Sequence, residues 1–101
     1  MKPVIDKLRT QRWYNNELHG VLHRDNDLPA VITENGTHYW YINGKRHRLY
    51  KPAVINADGI HYWYINGNDI TEEVDDFIKE HDLPHWSEWT EVHRILFRMR
   101  F

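Results

Sequence analysis

The sequence predicts an α+β fold, mainly β, in which an antiparallel β-meander of two to three 23-residue hairpin repeats precedes a C-terminal acidic helix and a closing strand. Three observations predict this fold class. One segment occurs twice, an Asn-Gly turn signal follows the aromatic run of each copy, and helical spacing of apolar residues begins only after Gly67. At 101 residues the chain is predicted to form one domain.

The repeated segment reads PAVITENGTHYWYING at Pro29–Gly44 and PAVINADGIHYWYING at Pro52–Gly67. Twelve of its sixteen positions are identical, and the copies are offset by 23 residues. A period of roughly 20–50 residues is typical of repeat proteins, in which each unit buries its apolar face by packing on the next. The sequence therefore predicts two equivalent units side by side.

Each unit has the pattern of a strand pair. In the first, the β-branched run Ala30–Thr33 leads through a turn at Glu34–Gly36 into the aromatic run Thr37–Ile42. Asn43-Gly44 then favours a type I′ turn, since both central residues of that turn need positive φ. The second unit is predicted to turn in the same way at Asn66-Gly67.

Alternation along a strand sorts the aromatic side chains onto two faces. Trp40 and Trp63 are predicted to be buried in the core, because their face also carries isoleucines and is the more apolar. The opposite face carries the tyrosines that flank the two tryptophans, namely Tyr39, Tyr41, Tyr62 and Tyr64. We expect a buried Trp stripe and a parallel Tyr stripe.

A degenerate unit is predicted before the two clear copies, because Trp13-Tyr14-Asn15-Asn16 resembles Trp40-Tyr41-Ile42-Asn43. An irregular terminal unit is typical of a repeat array. The predicted segments of the single domain 1–101 are a degenerate repeat at 13–28, repeat 1 at 29–51, repeat 2 at 52–69, and a helical cap with a C-terminal strand at 70–101.

Helical spacing starts at the end of the second copy. Asp69 with Glu72 as a capping box, or else Thr71, is the predicted N-cap of an acidic helix. Leu83-Pro84 ends this helix, and alternation at Phe97–Phe101 predicts the closing strand. One stripe of the helix is apolar and is predicted to cover the Trp face of the sheet: Ile70, Val74, Phe77, Ile78 and His81.

Composition narrows the classes of function. The formal net charge of −2 is too near neutral to indicate nucleic acid or membrane as a partner by itself. Without cysteine the chain has no disulfide, thiolate nucleophile or zinc–thiolate site. The start MKPVIDKLRTQRW has no apolar h-region and no later run suits a membrane span, so we expect a cytoplasmic protein that does not contact a membrane.

The order Pro-Ala-Val-Ile, a Gly-containing turn, Trp-Tyr-x-Asn-Gly and then His-Arg resembles a short repeat of proteins from tailed bacteriophages and giant viruses. More distantly, it is similar to MORN-like β-hairpin repeats. The resemblance covers Leu22–Thr71, although Asp27-Leu28 and Tyr50-Lys51 stand where Asp-Gly usually precedes Pro. It implies the hairpin-repeat fold and a viral source, hence the host-cell cytoplasm, and it transfers no catalytic residues.

No catalytic or metal-binding pattern emerges, so we predict a non-enzymatic protein without cofactor or metal. His19 and His23 are four residues apart but lie in no predicted helix, while His38 and His61 recur with the repeat as packing residues. Ser87 is the only serine, and its neighbours imply no catalytic geometry.

Protein recognition is the predicted function. Nine acidic residues and one lysine lie between Asp69 and Glu91, so an acidic helix could steer a basic partner towards the hot-spot side chains of the Tyr stripe. With a viral source, the expected role is an accessory protein that inhibits a host defence or nucleic-acid-processing protein; the partner's identity and the oligomeric state stay open. The predicted partner-binding residues are Glu72, Glu73, Asp75, Asp76, Glu80, Tyr39, Tyr41, Tyr62 and Tyr64.

Binding of single-stranded nucleic acid is the alternative function. The Tyr stripe would stack bases, and a basic edge would contact phosphates. This edge consists of Lys45, Arg46, His47, Arg48 and Lys51. The negative total charge and the absence of a recognised RNA-binding signature favour protein recognition over this alternative.

Overall fold

A computed structural model describes residues 2–16, 18 and 20–101. His19, one member of the histidine pair considered above, lies outside the described residues. Within the described part the chain forms ten two-residue strands, two α-helices and a 3-10 turn at Trp86–Glu88. The strands and helices are β1 (Val4–Ile5), β2 (Gln11–Arg12), β3 (Val31–Ile32), β4 (His38–Tyr39), β5 (Tyr41–Ile42), β6 (Lys45–Arg46), β7 (Val54–Ile55), β8 (His61–Tyr62), β9 (Tyr64–Ile65), β10 (Asn68–Asp69), α1 (Thr71–Glu80) and α2 (Glu91–Arg100).

Six of these strands form an antiparallel sheet in the order β1-β2-β3-β4-β7-β8. Its register repeats, since Val31 pairs with Tyr39 in the first copy and Val54 with Tyr62 in the second. Tyr39 also pairs with Val54, which joins the two copies through β4 and β7. The predicted α+β class with an antiparallel meander is confirmed.

The aromatic run of each copy bends at its tryptophan, so that one predicted strand becomes two. β4 stays in the sheet while β5 pairs with β6 in a separate hairpin, and β8 and β9 divide in the same way at Trp63. The Asn-Gly turns close these hairpins, with φ of 50° and 82° at Asn43 and Gly44 and of 48° and 85° at Asn66 and Gly67. Both pairs fit the type I′ geometry, so the predicted equivalent turns are confirmed.

The segment around Trp13 makes the same backbone hydrogen bonds as the copy around Trp40. The Trp13 N–H donates to the Ala30 carbonyl at 2.8 Å, and the Trp40 N–H donates to the Ala53 carbonyl at 2.7 Å. Each tryptophan amide therefore bonds to the alanine of the Pro-Ala-Val-Ile run that follows it, and this bond joins one unit to the next.

The start of α1 differs from the sequence prediction, because neither proposed cap is used. Ile70 occupies the N-cap position, and no side chain of the described residues caps the helix there. Asp69 Oδ1 instead accepts hydrogen bonds from the Thr71 amide at 2.9 Å and hydroxyl at 2.6 Å. The same hydroxyl accepts the Trp63 N–H at 2.9 Å, so these side chains tie the helix to the last repeat.

The predicted closing strand at Phe97–Phe101 is wrong, because α2 runs through Arg100. Phe97 and Phe101 are four residues apart, which would place both rings on the same face of a strand. The same spacing also places both rings on one face of a helix. The centroids of the two rings lie 4.7 Å apart.

None of the helices that the structure describes combines the length and the apolar character that a membrane span requires.

The core lies between the last repeat and the helices. Trp63 is 1 % exposed, and Trp40 is 8 % exposed, which confirms the predicted buried face. The Trp63 ring stacks on Trp89 at 5.5 Å. The helices thus cover the predicted face at Trp63, whereas Trp40 lies outside the buried cluster, which comprises Trp63, Val74, Phe77, Trp89 and Phe97.

Candidate functional site

Tyr62 lies in a groove with the acids at the start of α1. The Tyr62 side chain is 39 % exposed. It belongs to β8, which is the last strand of the six-stranded sheet. The structure therefore brings one predicted tyrosine together with three of the predicted helix acids. The groove has a volume of about 450 Å³ and is lined by Tyr62, Asp69, Thr71, Glu72, Glu73 and Asp75.

A second groove shares Thr71 and Asp75 with the first and extends along β8 to Asp58 and Ile60. Ile60 is 53 % exposed, whereas its counterpart in the first copy, Thr37, is buried. Sequence reasoning missed Ile60 and Asp58. The sequence did contain a signal for this site, because the second copy has Ile60 where the first copy has Thr37. No further repeat follows the second copy to cover the Ile60 side chain.

The other two predicted helix acids are also exposed but lie outside this groove. Asp76 is exposed on α1. Glu80 accepts a hydrogen bond from Arg100 at 2.9 Å, which holds the pKa of this carboxyl below its ordinary value. Glu80 therefore joins α1 to α2.

The remaining three predicted tyrosines gather around Arg46. Its Nε donates to the Tyr41 hydroxyl at 3.1 Å and its Nη1 to the Tyr64 hydroxyl at 3.4 Å, while the Tyr39 ring lies 5.3 Å away. Burial acts to lower the pKa of Arg46, but the hydrogen bonds to Tyr41 and Tyr64 outweigh it and raise that pKa. Three of the four predicted tyrosines thus form a cation–π cluster, whereas Tyr62 lies apart from them in the groove beside α1.

Arg48 is also engaged within the fold. Its side chain is 9 % exposed and its guanidinium lies 3.7 Å over the Trp40 ring. It donates to the Pro52 carbonyl at 3.1 Å and to both carboxylate oxygens of Asp27, at 2.8 and 3.2 Å. Burial acts to raise the pKa of Asp27, but Arg48 and Lys51 outweigh it and lower that pKa.

Arg24 repeats this arrangement one unit earlier. Its guanidinium lies 3.7 Å over the Trp13 ring and donates to the Pro29 carbonyl at 3.1 Å. Unlike Arg48, it has no carboxylate partner in the part of the chain that the structure describes, and burial lowers its pKa. The arginine of each His-Arg pair thus covers its own tryptophan, and at Trp63 the helices take that place.

The histidines of the His-Arg pairs hold the next Asn-Gly turn. His47 Nδ1 accepts the Asn66 N–H at 3.0 Å, and His23 Nδ1 accepts the Asn43 N–H at 2.9 Å. Accepting at Nδ1 requires that this nitrogen carry no proton, and burial lowers the pKa of His47 accordingly. Of the five residues in the predicted basic edge, Lys45 is exposed, and the other four are partly buried.

We expect His47 to make the folded state less stable as the pH falls below about 6.5, its ordinary pKa. The unfolded chain then binds a proton that the folded chain excludes, so the free energy of unfolding declines as the pH drops toward the lower folded pKa. His47→Asn keeps an acceptor at the Nδ1 position but does not titrate. In thermal unfolding measured from pH 8 to pH 5.5, the melting temperature should therefore fall less for this variant than for the wild-type chain. Above pH 7.5 the plots of melting temperature against pH should run parallel for the two proteins. If the plots also had the same slope below pH 6.5, the role assigned to His47 would be contradicted.

Among residues 2–16, 18 and 20–101, no three His, Asp or Glu side chains gather in a way that could hold a metal ion. No protein-family model matches the chain, and comparisons with curated proteins and with solved structures give no match either.

Proposed function

We propose that the protein is a non-enzymatic module that binds a basic segment of another protein in the groove between β8 and α1. One observation carries the proposal, namely that the exposed Tyr62 shares this groove with Glu72, Glu73 and Asp75. Partly exposed aromatic side chains are frequent hot spots of binding, and acids beside them accelerate the encounter with a basic partner.

The position of β8 favours an extended segment as the bound element. β8 is the last strand of the six-stranded sheet, so in the described part of the chain its outer edge has no strand partner. An added strand would gain backbone hydrogen bonds at that edge and present alternate side chains to the groove. The two grooves together run from Asp58 to Asp69. A lysine or arginine of the bound segment would form an ion pair with one of these two carboxylates.

The viral resemblance of the repeat supports a partner in the host cytoplasm. In this proposal, the bound module inhibits a host protein, and a defence or nucleic-acid-processing protein offers a basic segment that the acids of α1 match. Inhibition follows because a partner whose basic segment is held in the groove of the module cannot use that segment to take up its own acidic ligand.

The proposal is tested by capture from nuclease-treated bacterial lysate, followed by binding kinetics with the captured protein. Glu72→Gln with Asp75→Asn should slow association about tenfold at low salt and weaken its salt dependence. Tyr62→Ala should instead raise the dissociation rate. The matched control, Glu34→Gln with Glu88→Gln, removes the same charge from exposed acids outside the groove and should bind like the wild type.

Equal capture by the groove variants and the wild type would refute the proposed surface. Capture that disappears on nuclease treatment would promote the alternative, binding of single-stranded nucleic acid at the basic edge. Support for that alternative is weaker, because Arg46 and Arg48 already bind groups within the fold.

A further inference from the structure

A cationic cavity lies where the segment after the first hairpin passes α2. Its volume is about 490 Å³, which suits a small organic molecule. The positive character is notable in a chain whose formal net charge is −2. Four cations and one carboxylate line it: Arg24, Arg48, Lys51, Arg94 and Asp27.

Two of the four cations have no carboxylate partner among the residues that the structure describes. Asp27 is shared by Arg48 and Lys51, whereas neither Arg24 nor Arg94 makes an ion pair within the described residues. In that same part of the chain, Nε of Arg94 is buried without a hydrogen-bond partner. The charges of Arg24 and Arg94 are therefore not neutralised by a carboxylate of the described residues, which leaves both guanidinium groups to attract an anionic ligand.

The remaining lining is apolar or aromatic. Tyr50 lies 5.6 Å beneath the guanidinium of Arg94 and also contacts Phe97 of the core, which fixes its ring. Leu49 and Ile42 line the same cavity, and Leu49 is nearly half exposed. A ligand with an apolar body and an anionic end would match both parts of this lining.

We propose that this cavity binds an organic phosphate of nucleotide size. The phosphate lies among Arg24, Lys51 and Arg94, and the planar body packs on Leu49 and Tyr50. A dianionic phosphate satisfies several cations at once, and arginine's planar fork suits its oxygens. The cavity shares no lining residue with the β8–α1 groove, so the inference adds a small-molecule site to the proposed protein-binding module.

The test uses the full chain, labelled with ¹⁵N and titrated with AMP in phosphate-free buffer. We expect saturable shifts of the Leu49, Tyr50 and Arg94 amides. Adenosine and inorganic phosphate each present one half of the ligand and should bind at least about tenfold more weakly. Arg94→Gln removes the charge but keeps a donor, and it should weaken AMP binding about tenfold or more. Lys45→Gln, an exposed cation outside the cavity, should bind AMP like the wild type.

Absence of saturable shifts with AMP would overturn the proposal, as would shifts confined to other parts of the chain. Equal affinity for AMP and adenosine would show that the cations do not recognise the ligand, and equal affinity for AMP and inorganic phosphate would leave no role for the apolar lining. Unchanged AMP affinity of a folded Arg94→Gln variant would also overturn it. If that variant does not fold, the comparison of the three ligands on the wild-type chain decides the matter.

Discussion

Trp63→Ala is expected to lower the free energy of unfolding by about 3–5 kcal/mol, which is most of the stability of a small domain. The indole is almost completely buried and contacts rings of the C-terminal helical region, including Trp89 at 5.5 Å and Phe97 at 5.8 Å. Its removal leaves a cavity whose walls belong to the sheet and to the helices. Because these elements are held apart by their own packing, the cavity cannot close without displacing one of them.

Trp63→Phe is the matched control and should cost only about 1–2 kcal/mol. The smaller ring keeps most of the packing, and the indole Nε1 has no hydrogen-bond partner among the described residues that the change could remove. Urea denaturation followed by circular dichroism gives both values from the transition midpoint and slope. A loss below about 1 kcal/mol for the alanine variant would show that the helices do not share a core with the repeats.

Features set by local chemistry could be predicted from the sequence. The Asn-Gly turns need positive φ at both residues, and both copies adopt it. The burial of Trp40 and Trp63 was predicted from the alternation of side chains along each aromatic run. That prediction needs only the two residues on either side of the tryptophan, and both tryptophans are buried although each run bends there. The internal repeat extended these local predictions to the antiparallel meander, because the same pattern recurs at a fixed offset.

The C-terminal segment could not be assigned in this way. A spacing of four between Phe97 and Phe101 fits a strand and a helix alike, so periodicity over five residues could not choose between them. The choice depends on Phe77 of α1, whose ring lies within 6.0 Å of the centroids of both phenylalanines. That contact joins positions twenty or more residues apart and leaves no local sequence signal.

The candidate surfaces were predicted only in part, for the same reason. The acids of α1 were visible as a charge block, but the partnership of Tyr62 with Glu72 and Glu73 depends on how α1 folds back on β8. Within the predicted basic edge, Arg48 already donates to Asp27, twenty-one residues earlier in the chain. The recurrence of His-Arg before each Pro-Ala-Val-Ile run was the signal of a structural role.

Arg48→Met is expected to lower the free energy of unfolding by about 2–3 kcal/mol. Its guanidinium covers Trp40 at 3.7 Å and donates to the Pro52 carbonyl, so the change uncovers an indole and removes the partner of a part-buried acceptor. The ion pair with Asp27 contributes less, because that carboxylate is about half exposed and solvent screens the attraction. Methionine keeps part of the apolar stem, which confines the loss mainly to the contacts of the guanidinium.

Two further variants separate these contacts from charge alone. Arg48→Lys keeps the charge but lacks the planar fork that serves Asp27 and Pro52 together, so it should recover less than half of the loss. Lys45→Met removes an exposed cation from the same segment and should change stability by less than about 0.5 kcal/mol. Urea denaturation of the three variants measures the differences. If Arg48→Met is as stable as Lys45→Met, Arg48 is free to bind phosphate, and the basic edge from Lys45 to Lys51 becomes a better candidate surface than the groove beside Tyr62.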